Sequence, residues 1–131
     1  VIDKYKEKQV IQHFLEVGGY LLEQLNKLIY DEQLEDIFWT SGHPSWSFLH
    51  IKSKGIFSTF EIKTYFLQEM FKRGILILGS HNLSLAHTKK EIDILLKTYS
   101  EVLPIVKREV DNKSLSEKIQ GDILKPIFKV R

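Results

Sequence analysis

Histidine is the side chain best suited to chemistry in this sequence, and two of the five histidines lie close together in one polar stretch. The stretch is Gly79–Thr88, GSHNLSLAHT, and it follows the apolar run Ile75–Leu78. Polar loops beside buried strands often face ligands, so Ser80, His81 and Asn82 are candidates for contact with a small molecule. A solvated turn is the alternative interpretation of the same residues.

Other kinds of chemistry find no matching motif. The chain has no cysteine, which excludes disulfides and thiolate catalysis. No two histidines have the i, i+4 spacing that zinc proteases place on a helix, so we expect no metal site. The glycine-rich phosphate-binding motifs and the G-x-S-x-G nucleophile motif are absent as well. The residues alone therefore predict a domain without a recognisable catalytic constellation.

The composition is that of one ordinary domain. The chain has 131 residues, of which 43% are hydrophobic and 27% are charged with mixed signs. A formal net charge of +2 is too small to indicate nucleic acid or an anionic membrane as a partner. No apolar run reaches the roughly 18 residues that a membrane span needs, and the charged N-terminus does not resemble a signal peptide. We therefore expect a cytoplasmic protein, and the start at Val1 suggests a piece of a longer one.

The first half of the chain predicts a helix and a hairpin. Helical periodicity favours a helix over about Tyr5–Tyr30, and Gly18 on its apolar stripe suggests that another element packs closely there. The segments Ile37–Thr40 and Ser45–Ile51 are typical of strands, and the intervening Ser-Gly-His-Pro predicts a turn. In the second strand Trp46, Phe48 and His50 would share one face, with Ser47, Leu49 and Ile51 on the other.

The second half is marked by helix-capping signals. The pairs Ser58/Glu61, Thr88/Glu91 and Ser114/Glu117 each have the spacing of a capping box, and Gly74 can end the second helix in a left-handed conformation. Two further strands are predicted at Ile75–Leu78 and Leu83–Ala86. His87 and Thr88 would form a structural corner between the last strand and the third helix. Pro104 suggests a kink or a break in that helix, and Pro126 suggests an extended tail.

These elements follow the order α-β-β-α-β-β-α. We therefore predict an α+β fold in which a small antiparallel sheet of about four strands carries helices on one face.

Several short motifs occur in an order that resembles one known family. They are HFLEVGGYLLEQLN in the first helix, SGHPSWSFLHI in the hairpin, Arg73–Ile75, Ala86–Thr88, Glu91–Asp93 and the tail LKPIFKVR. Together they are similar to the C-terminal part of the class III aminotransferases, which use pyridoxal 5'-phosphate (PLP), and most similar to the glutamate-1-semialdehyde aminomutase branch. The resemblance covers nearly the whole chain.

The resemblance implies the small domain of a fold-type I PLP enzyme. Residues 1–131 would form that domain, with Val1–Tyr30 as the connecting helix and Lys107–Arg131 as a C-terminal extension. The PLP-binding lysine, the phosphate site and the pyridinium partner of the family lie in a large domain that this chain lacks. No catalytic, cofactor-binding or metal-binding residue is therefore expected here, and the chain alone would be inactive.

The family's small domain closes one side of the active site and helps to select the substrate. By resemblance Ser80, His81 and Asn82 would lie near an amino or keto substrate, and His87, Thr88 and Gly74 would form the structural corner. The partners implied are the protein's own large domain and, when full-length, a second copy in a homodimer. Nucleic acid and membrane are not expected.

The chain departs from the family pattern in two respects. No arginine, which many members use to pair a substrate carboxylate, lies between Gly74 and Val106. The loop Gly79–Asn82 is also shorter than in the aminomutase and lacks its acidic residue. The amino donor and acceptor therefore stay open, and a neutral or sugar-like substrate is among the possibilities.

Two other functions stay in view. A free-standing ligand-binding or regulatory module would have a polar exterior on every side. A single-stranded RNA binder would use Trp39, Trp46 and Phe48 as a stacking platform beside basic side chains. Packing in a core or an interface is the alternative for these aromatic residues.

Overall fold

The computed structural model describes residues 8–127, with side chains from Gln9 onward. Within them the chain has an α+β architecture with four helices and one antiparallel sheet of three strands, in the order β1-β2-β3. The elements are α1 (Lys8–Asp31), β1 (Phe38–His43), β2 (Trp46–Ile51), α2 (Thr59–Lys72), β3 (Ser80–Asn82), α3 (Lys89–Asp111) and α4 (Leu115–Lys118). No helix among these residues is long and apolar enough to cross a membrane.

The predicted hairpin is confirmed, but its first strand continues to His43, through three of the four residues predicted as the turn. His43 pairs with Trp46, so Pro44 and Ser45 form a two-residue connection. Because side chains alternate along a strand, the pairing assigns each residue to one of two faces. The face that we call inner carries Phe38, Thr40, Gly42, Ser47, Leu49, Ile51 and His81. The face that we call outer carries Trp39, Ser41, His43, Trp46, Phe48, His50, Ser80 and Asn82.

The core lies between the inner face and the helices. Helices α1 and α2 contact the hairpin, and α3 packs against both of them. The largest fully buried side chains are Tyr99, Phe38, Phe66, Leu21, Leu25, Leu34, Ile37, Ile62, Met70, Ile92, Leu103 and Leu115. Helices therefore cover one face of the sheet, as predicted.

Gly18 is where α1 meets the tip of the hairpin. A Cβ atom added there would lie 1.8 Å from the carbonyl oxygen of Pro44, far closer than any real contact. The close approach predicted at this glycine is confirmed, and its partner is the backbone of the hairpin turn. At Gly19 an added Cβ would meet nothing within 4 Å.

The signals at both ends of α2 are confirmed. The Ser58 hydroxyl accepts a hydrogen bond from the N–H of Glu61, and the Glu61 side chain accepts one from the N–H of Ser58. At the C-terminal end Gly74 has φ of 81°, and the N–H groups of Gly74 and Ile75 donate to the carbonyls of Phe71 and Met70. This is the Schellman arrangement, in which a left-handed residue satisfies the last helical carbonyls.

The predicted strand at Ile75–Leu78 is wrong. The segment has no regular structure and lies outside the sheet, with Leu76 88% exposed and Ile77 buried. Gly79 has φ of 100°. The Leu49 N–H donates one backbone hydrogen bond to the carbonyl of Gly79. The pairing with β2 does not continue beyond this bond. The third strand instead occupies Ser80–Asn82, which was predicted to be a loop.

The predicted strand at Leu83–Ala86 is wrong too. These residues form a turn, because the N–H of Ser84 donates to Nδ1 of His87 at 2.9 Å and the N–H of His87 donates to the carbonyl of Ser84 at 3.0 Å. The side chain of His87 thus gives the backbone an alternative to strand pairing. The sheet has three strands where about four were predicted.

The C-terminal part differs from the prediction at two points. Helix α3 continues through Pro104 to Asp111, so the extension predicted from Lys107 begins inside this helix. The Ser114 hydroxyl donates to the carboxylate of Glu109 and does not cap α4, so the third capping box is wrong. Residues 119–127 have no regular structure. The first three residues of the predicted helix at Tyr5–Tyr30 and the last four of the predicted tail lie outside the described range.

Candidate functional site

His81, the most chemically interesting of the predicted residues, is buried on the inner face with only 4% of its surface exposed. Its Nδ1 atom lies 2.9 Å from the Oγ of Ser47, and its Nε2 atom lies 2.7 Å from the hydroxyl of Tyr99. Ser47 and Tyr99 are themselves fully buried. Both ring nitrogens are therefore occupied, and the trio ties β3 to β2 and to α3.

The environment of this trio favours its neutral form. Burial lowers the pKa of His81 from 6.5 to about 4, because a charged imidazolium would lose its hydration. Burial also raises the pKa of Tyr99. At neutral pH His81 is thus an uncharged ring held by two hydroxyls, which fixes its orientation and gives β3 its register.

Ser80 and Asn82 lie on either side of His81 and on the outer face. Together with His81 and His87 they line a cavity of ≈ 320 Å³ beside β3, which we call the β3 cavity. Its other walls are Leu21, Ile75, Leu76, Ile77, Leu83, Glu91, Ile92 and Leu95. The three residues predicted to lie near a substrate therefore line one cavity, together with His87, which was predicted to be structural.

The predicted corner residues lie at the ends of the two helices beside this cavity. The Nδ1 atom of His87 holds the turn before α3, and its carbonyl lies 2.9 Å from Nε2 of His13 on α1. The N–H of Thr88 donates to the carboxylate of Glu91 at 2.8 Å. The Thr88 hydroxyl donates to the same carboxylate, and this hydrogen bond is the main cause of the lowered pKa of Glu91. Gly74 ends α2.

The outer face of the sheet is aromatic and uncovered. Trp39 stacks on His50 with ring centroids 4.0 Å apart, and Phe48 lies 5.9 Å from His50 and 5.2 Å from Trp46. Trp39 is 44% exposed and Trp46 is 55% exposed. These four rings form a continuous row across β1 and β2, with no charged side chain among the outer-face residues.

The row continues onto the N-terminal half of α1. A notch of ≈ 420 Å³ lies between that half-helix and the hairpin tip. Ile11, Leu15 and Trp46 line it, and Ile11 and Leu15 are 54% and 47% exposed. Ile11 of the apolar stripe predicted on α1 is therefore exposed, as is its neighbour Leu15, whereas Leu21 and Leu25 farther along the helix are buried. We call the outer-face row and this half-helix together the uncovered surface.

The β3 cavity does not fit PLP. The cofactor needs a lysine for its Schiff base, donors for its phosphate and a partner for its ring nitrogen. The β3 cavity is lined by no lysine or arginine, and no lysine whose side chain is described is buried. Nor do the described residues contain a group of three or more metal-ligating side chains. A PLP enzyme that includes this chain would hold the cofactor in another domain.

Comparisons with known proteins add no relative. No protein-family model matches the chain, and no curated protein or solved structure matches it.

Sequence reasoning missed three residues of the site. Ser47 was predicted only to lie on one face of a strand, and Tyr99 lies in the predicted third helix. The tertiary structure brings both onto His81. Glu91 was taken only as a capping residue, although it also lines the cavity. One signal in the sequence could have indicated this site. Ser47 is a small polar residue on the same strand face as the apolar Leu49 and Ile51, so a polar partner is expected for it.

Proposed function

We propose that this chain is the small domain of a PLP-dependent enzyme that resembles the class III aminotransferases, in the glutamate-1-semialdehyde aminomutase-like branch. In that role it closes one side of the active site and contributes to substrate selection, while another domain holds the cofactor and does the chemistry. The chain alone is inactive. Whether the whole enzyme transfers an amino group between molecules or moves it within one is not part of the proposal.

The observation that carries the proposal is the uncovered surface. Monomeric proteins rarely leave large contiguous apolar patches in water, and such patches mark interfaces. Here the patch joins the sheet to the half of α1 that the resemblance makes the connection to the large domain. A free-standing module is disfavoured by the same surface, because it would expose Trp39, Trp46, Ile11 and Leu15 to solvent.

The β3 cavity supports the part of the proposal that concerns substrate selection. Its lining includes Ser80, His81 and Asn82, the residues that the resemblance brings near the substrate. A domain that docks through its uncovered surface would carry this cavity with it as it closes. Closure of this kind excludes water and fixes the geometry of the reactants.

The lack of lysine and arginine on the outer face argues against the RNA-binding alternative. Stacking platforms for single strands combine aromatic rings with cationic side chains that track the phosphates. The outer face carries two tryptophans and a phenylalanine, but its polar residues are serine, histidine and asparagine.

Absorbance spectroscopy tests the proposal. PLP is titrated into this chain and into the complete product of its gene. We expect the visible band of a protein-bound Schiff base with the complete product only, and bleaching of that band when an amino donor is added. A complete product that consists of this domain alone, or one that binds no PLP, would refute the proposal.

A second measurement addresses the surface itself. Trp39→Ala and Trp46→Ala in the complete protein should weaken the docking of the small domain, raise the KM for the amino substrate and leave the Schiff-base band in place. Phe60→Ala is the matched control, because Phe60 is a comparably exposed aromatic residue on α2, away from the uncovered surface.

A further inference from the structure

Strand β3 is one of the two edges of the sheet, and its hydrogen-bonding pattern shows which of its backbone groups point outward. In an antiparallel pair, opposed residues alternate between positions that exchange backbone hydrogen bonds and positions that do not. The N–H of Leu49 donates to the carbonyl of Gly79, in the register that β2 and β3 share, so this position is a bonded one. The opposed residues Ser47 and His81, two positions further along, are then bonded as well. The backbone groups of His81 are therefore used inside the sheet.

The residues on either side of His81 have the opposite orientation. The N–H and carbonyl groups of Ser80 and Asn82 point away from β2, and no described residue outside the sheet forms a hydrogen bond with them. The N–H of Leu83 donates to the carbonyl of Ser45 at 3.5 Å, which continues the same alternation at the end of the strand. Two donors and two acceptors thus lie in a row along the free edge, with the spacing that an added strand would match.

The β3 cavity lies beside this edge, on the side of the helices. All three residues of β3 line it, whereas no residue of β2 does, and Leu21 of α1 and Leu95 of α3 form its walls on the helix side. Residues 75–77 and Leu83, which precede and follow β3 in the chain, line it as well. Since side chains alternate along a strand, an added strand would place the side chain opposite His81 on the inner side, in this cavity.

The lining of the cavity limits which side chain can enter. No lysine or arginine lines it, but the carboxylate of Glu91 does. An acidic side chain would lose its hydration here without a cationic partner and would meet a like charge. An apolar side chain would contact Leu21, Ile77 and Leu95, and the cavity volume of ≈ 320 Å³ has room for a leucine or a phenylalanine.

A second copy of this chain fits the edge less well than a different chain. Antiparallel pairing of β3 with β3 of a second copy would set the two His81 residues opposite one another. The ring of His81 is held by Ser47 and Tyr99, so it cannot enter the cavity of the neighbouring copy. Pairing of this kind would leave both cavities without the side chain that an added strand supplies.

We infer that the free edge of β3 binds an extended segment of another protein chain, which adds to the sheet as a fourth strand and places one apolar side chain in the β3 cavity. The inference goes beyond the proposed function and does not rest on it, because the edge and the cavity belong to this chain. A bound segment would occupy the cavity that the proposed function gives to a substrate, so the two would compete.

Peptide selection tests the inference. Random heptapeptides displayed on phage are selected on this chain and, in parallel, on its Asn82→Pro variant. Proline removes the outward N–H of Asn82 but no hydrogen bond between β2 and β3, and proline is tolerated at such edge positions. We expect the unmodified chain, and not the variant, to enrich peptides that share an apolar residue at one position and carry no acidic residue there.

Binding measurements assign the enriched peptides to the edge. They are synthesised with blocked ends and titrated into the isotope-labelled chain, and we expect saturable NMR shifts of the β3 amides. Asn82→Pro should weaken binding by about tenfold or more, since one hydrogen bond is lost and its acceptor in the peptide is left unpaired. Replacement of the shared apolar residue by aspartate should weaken it by a similar factor. Thr40→Pro is the matched control and should change nothing, because the N–H of Thr40 points outward from the β1 edge.

N-methylation of the peptide removes the same kind of hydrogen bond without changing the chain, so the test holds even where Asn82→Pro does not fold. Binding that survives both N-methylation and the proline substitution overturns the inference, as does the absence of any enriched peptide. Self-association of the chain that Asn82→Pro abolishes would overturn it in favour of a second copy. Peptides that bind this chain but not the complete product of its gene would show that the rest of that product covers the edge. The absorbance titration with PLP is independent of all these outcomes, so either proposal can fail alone.

Discussion

Neighbouring residues of β3 belong to two very different environments on the two faces of the sheet. On the inner face His81 is buried and holds Ser47 and Tyr99 through both ring nitrogens. On the outer face Ser80 and Asn82 make no hydrogen bond to another described side chain, and the rings of Trp39 and Trp46 are half exposed. The inner face fixes the register of the strand, and the outer face and the edge of β3 are left free for partners.

This difference separates stability from function. Removing inner-face groups leaves cavities or unpaired polar atoms in the folded chain, and both are costly. Outer-face groups make few contacts within the chain, so their removal should matter mainly when a partner is bound. The following experiments test that separation, beginning with the largest expected effect.

Adjacent residues on β1 give the sharpest test. Phe38 is fully buried and packs 6.2 Å from the ring of Phe66, so Phe38→Ala should reduce the free energy of unfolding by about 3–5 kcal/mol. Trp39 is on the outer face and stacks mainly on His50, so Trp39→Ala should cost about 1 kcal/mol or less. Urea denaturation of both variants measures the two values. Similar losses of unfolding free energy in both variants would mean that the outer face contributes as much to stability as the inner face.

The pH dependence of stability tests the inner-face trio. His81 has a pKa of about 4 when folded and 6.5 as a free side chain, so between these values the unfolded chain binds the extra proton. Stability should therefore decline as the pH falls from 6.5 to 4, by about 3 kcal/mol in total.

The control for this decline is a variant that cannot take up the proton. His81→Gln should be less stable at pH 7 but should lack the slope between pH 6.5 and 5.5, above the range in which most of the carboxylate contribution is lost. His43→Asn, at an exposed histidine of the hairpin, should keep the slope. A slope that survives in His81→Gln would assign it to another group.

Two consecutive glycines on α1 test the contact with the hairpin tip. Gly18→Ala would bring a Cβ onto the Pro44 carbonyl and should destabilise the chain by about 2 kcal/mol through overpacking. Gly19→Ala meets no atom and should stabilise α1 by about 0.5–1 kcal/mol. Thermal unfolding of the two variants gives the sign of each change in stability. A stabilising effect of Gly18→Ala would show that α1 does not pack against the turn.

The last test removes one hydroxyl from the inner-face trio. Tyr99→Phe keeps the ring but removes the partner of Nε2 in His81, so unfolding should become easier by about 1–2 kcal/mol. Tyr30→Phe, at an exposed residue, is the control and should change little. Hydrogen exchange of the β3 amides should accelerate in Tyr99→Phe only. Unchanged exchange would mean that Ser47 alone holds the strand.

Local features of the chain could be predicted because they depend on neighbours in sequence. The cap at Ser58 and Glu61, the left-handed Gly74 and the alternation along Trp46–Ile51 all follow from interactions within a few residues. The turn at Pro44 brings the hairpin strands together for the same reason. These features appear in the structure where the sequence suggested them.

The apolar run Ile75–Leu78 shows where local reasoning ends. Its β-branched residues favour a strand, but a strand exists only where a partner accepts its hydrogen bonds. Here β2 accepts no pairing from Ile75–Leu78, and the strand forms later, at Ser80–Asn82. The sequence of this segment contains no information about where its partner lies.

The same distinction applies to the site. The sequence by itself determined that Ser80, His81 and Asn82 form a polar group beside an apolar segment. Only the tertiary structure decided that His81 turns inward to Ser47 and Tyr99 while Ser80 and Asn82 do not, because a shift of one residue in register would exchange the faces. That choice depends on the pairing of residues 34 positions apart in the chain, and it places the buried histidine and its two neighbours on opposite faces of the sheet.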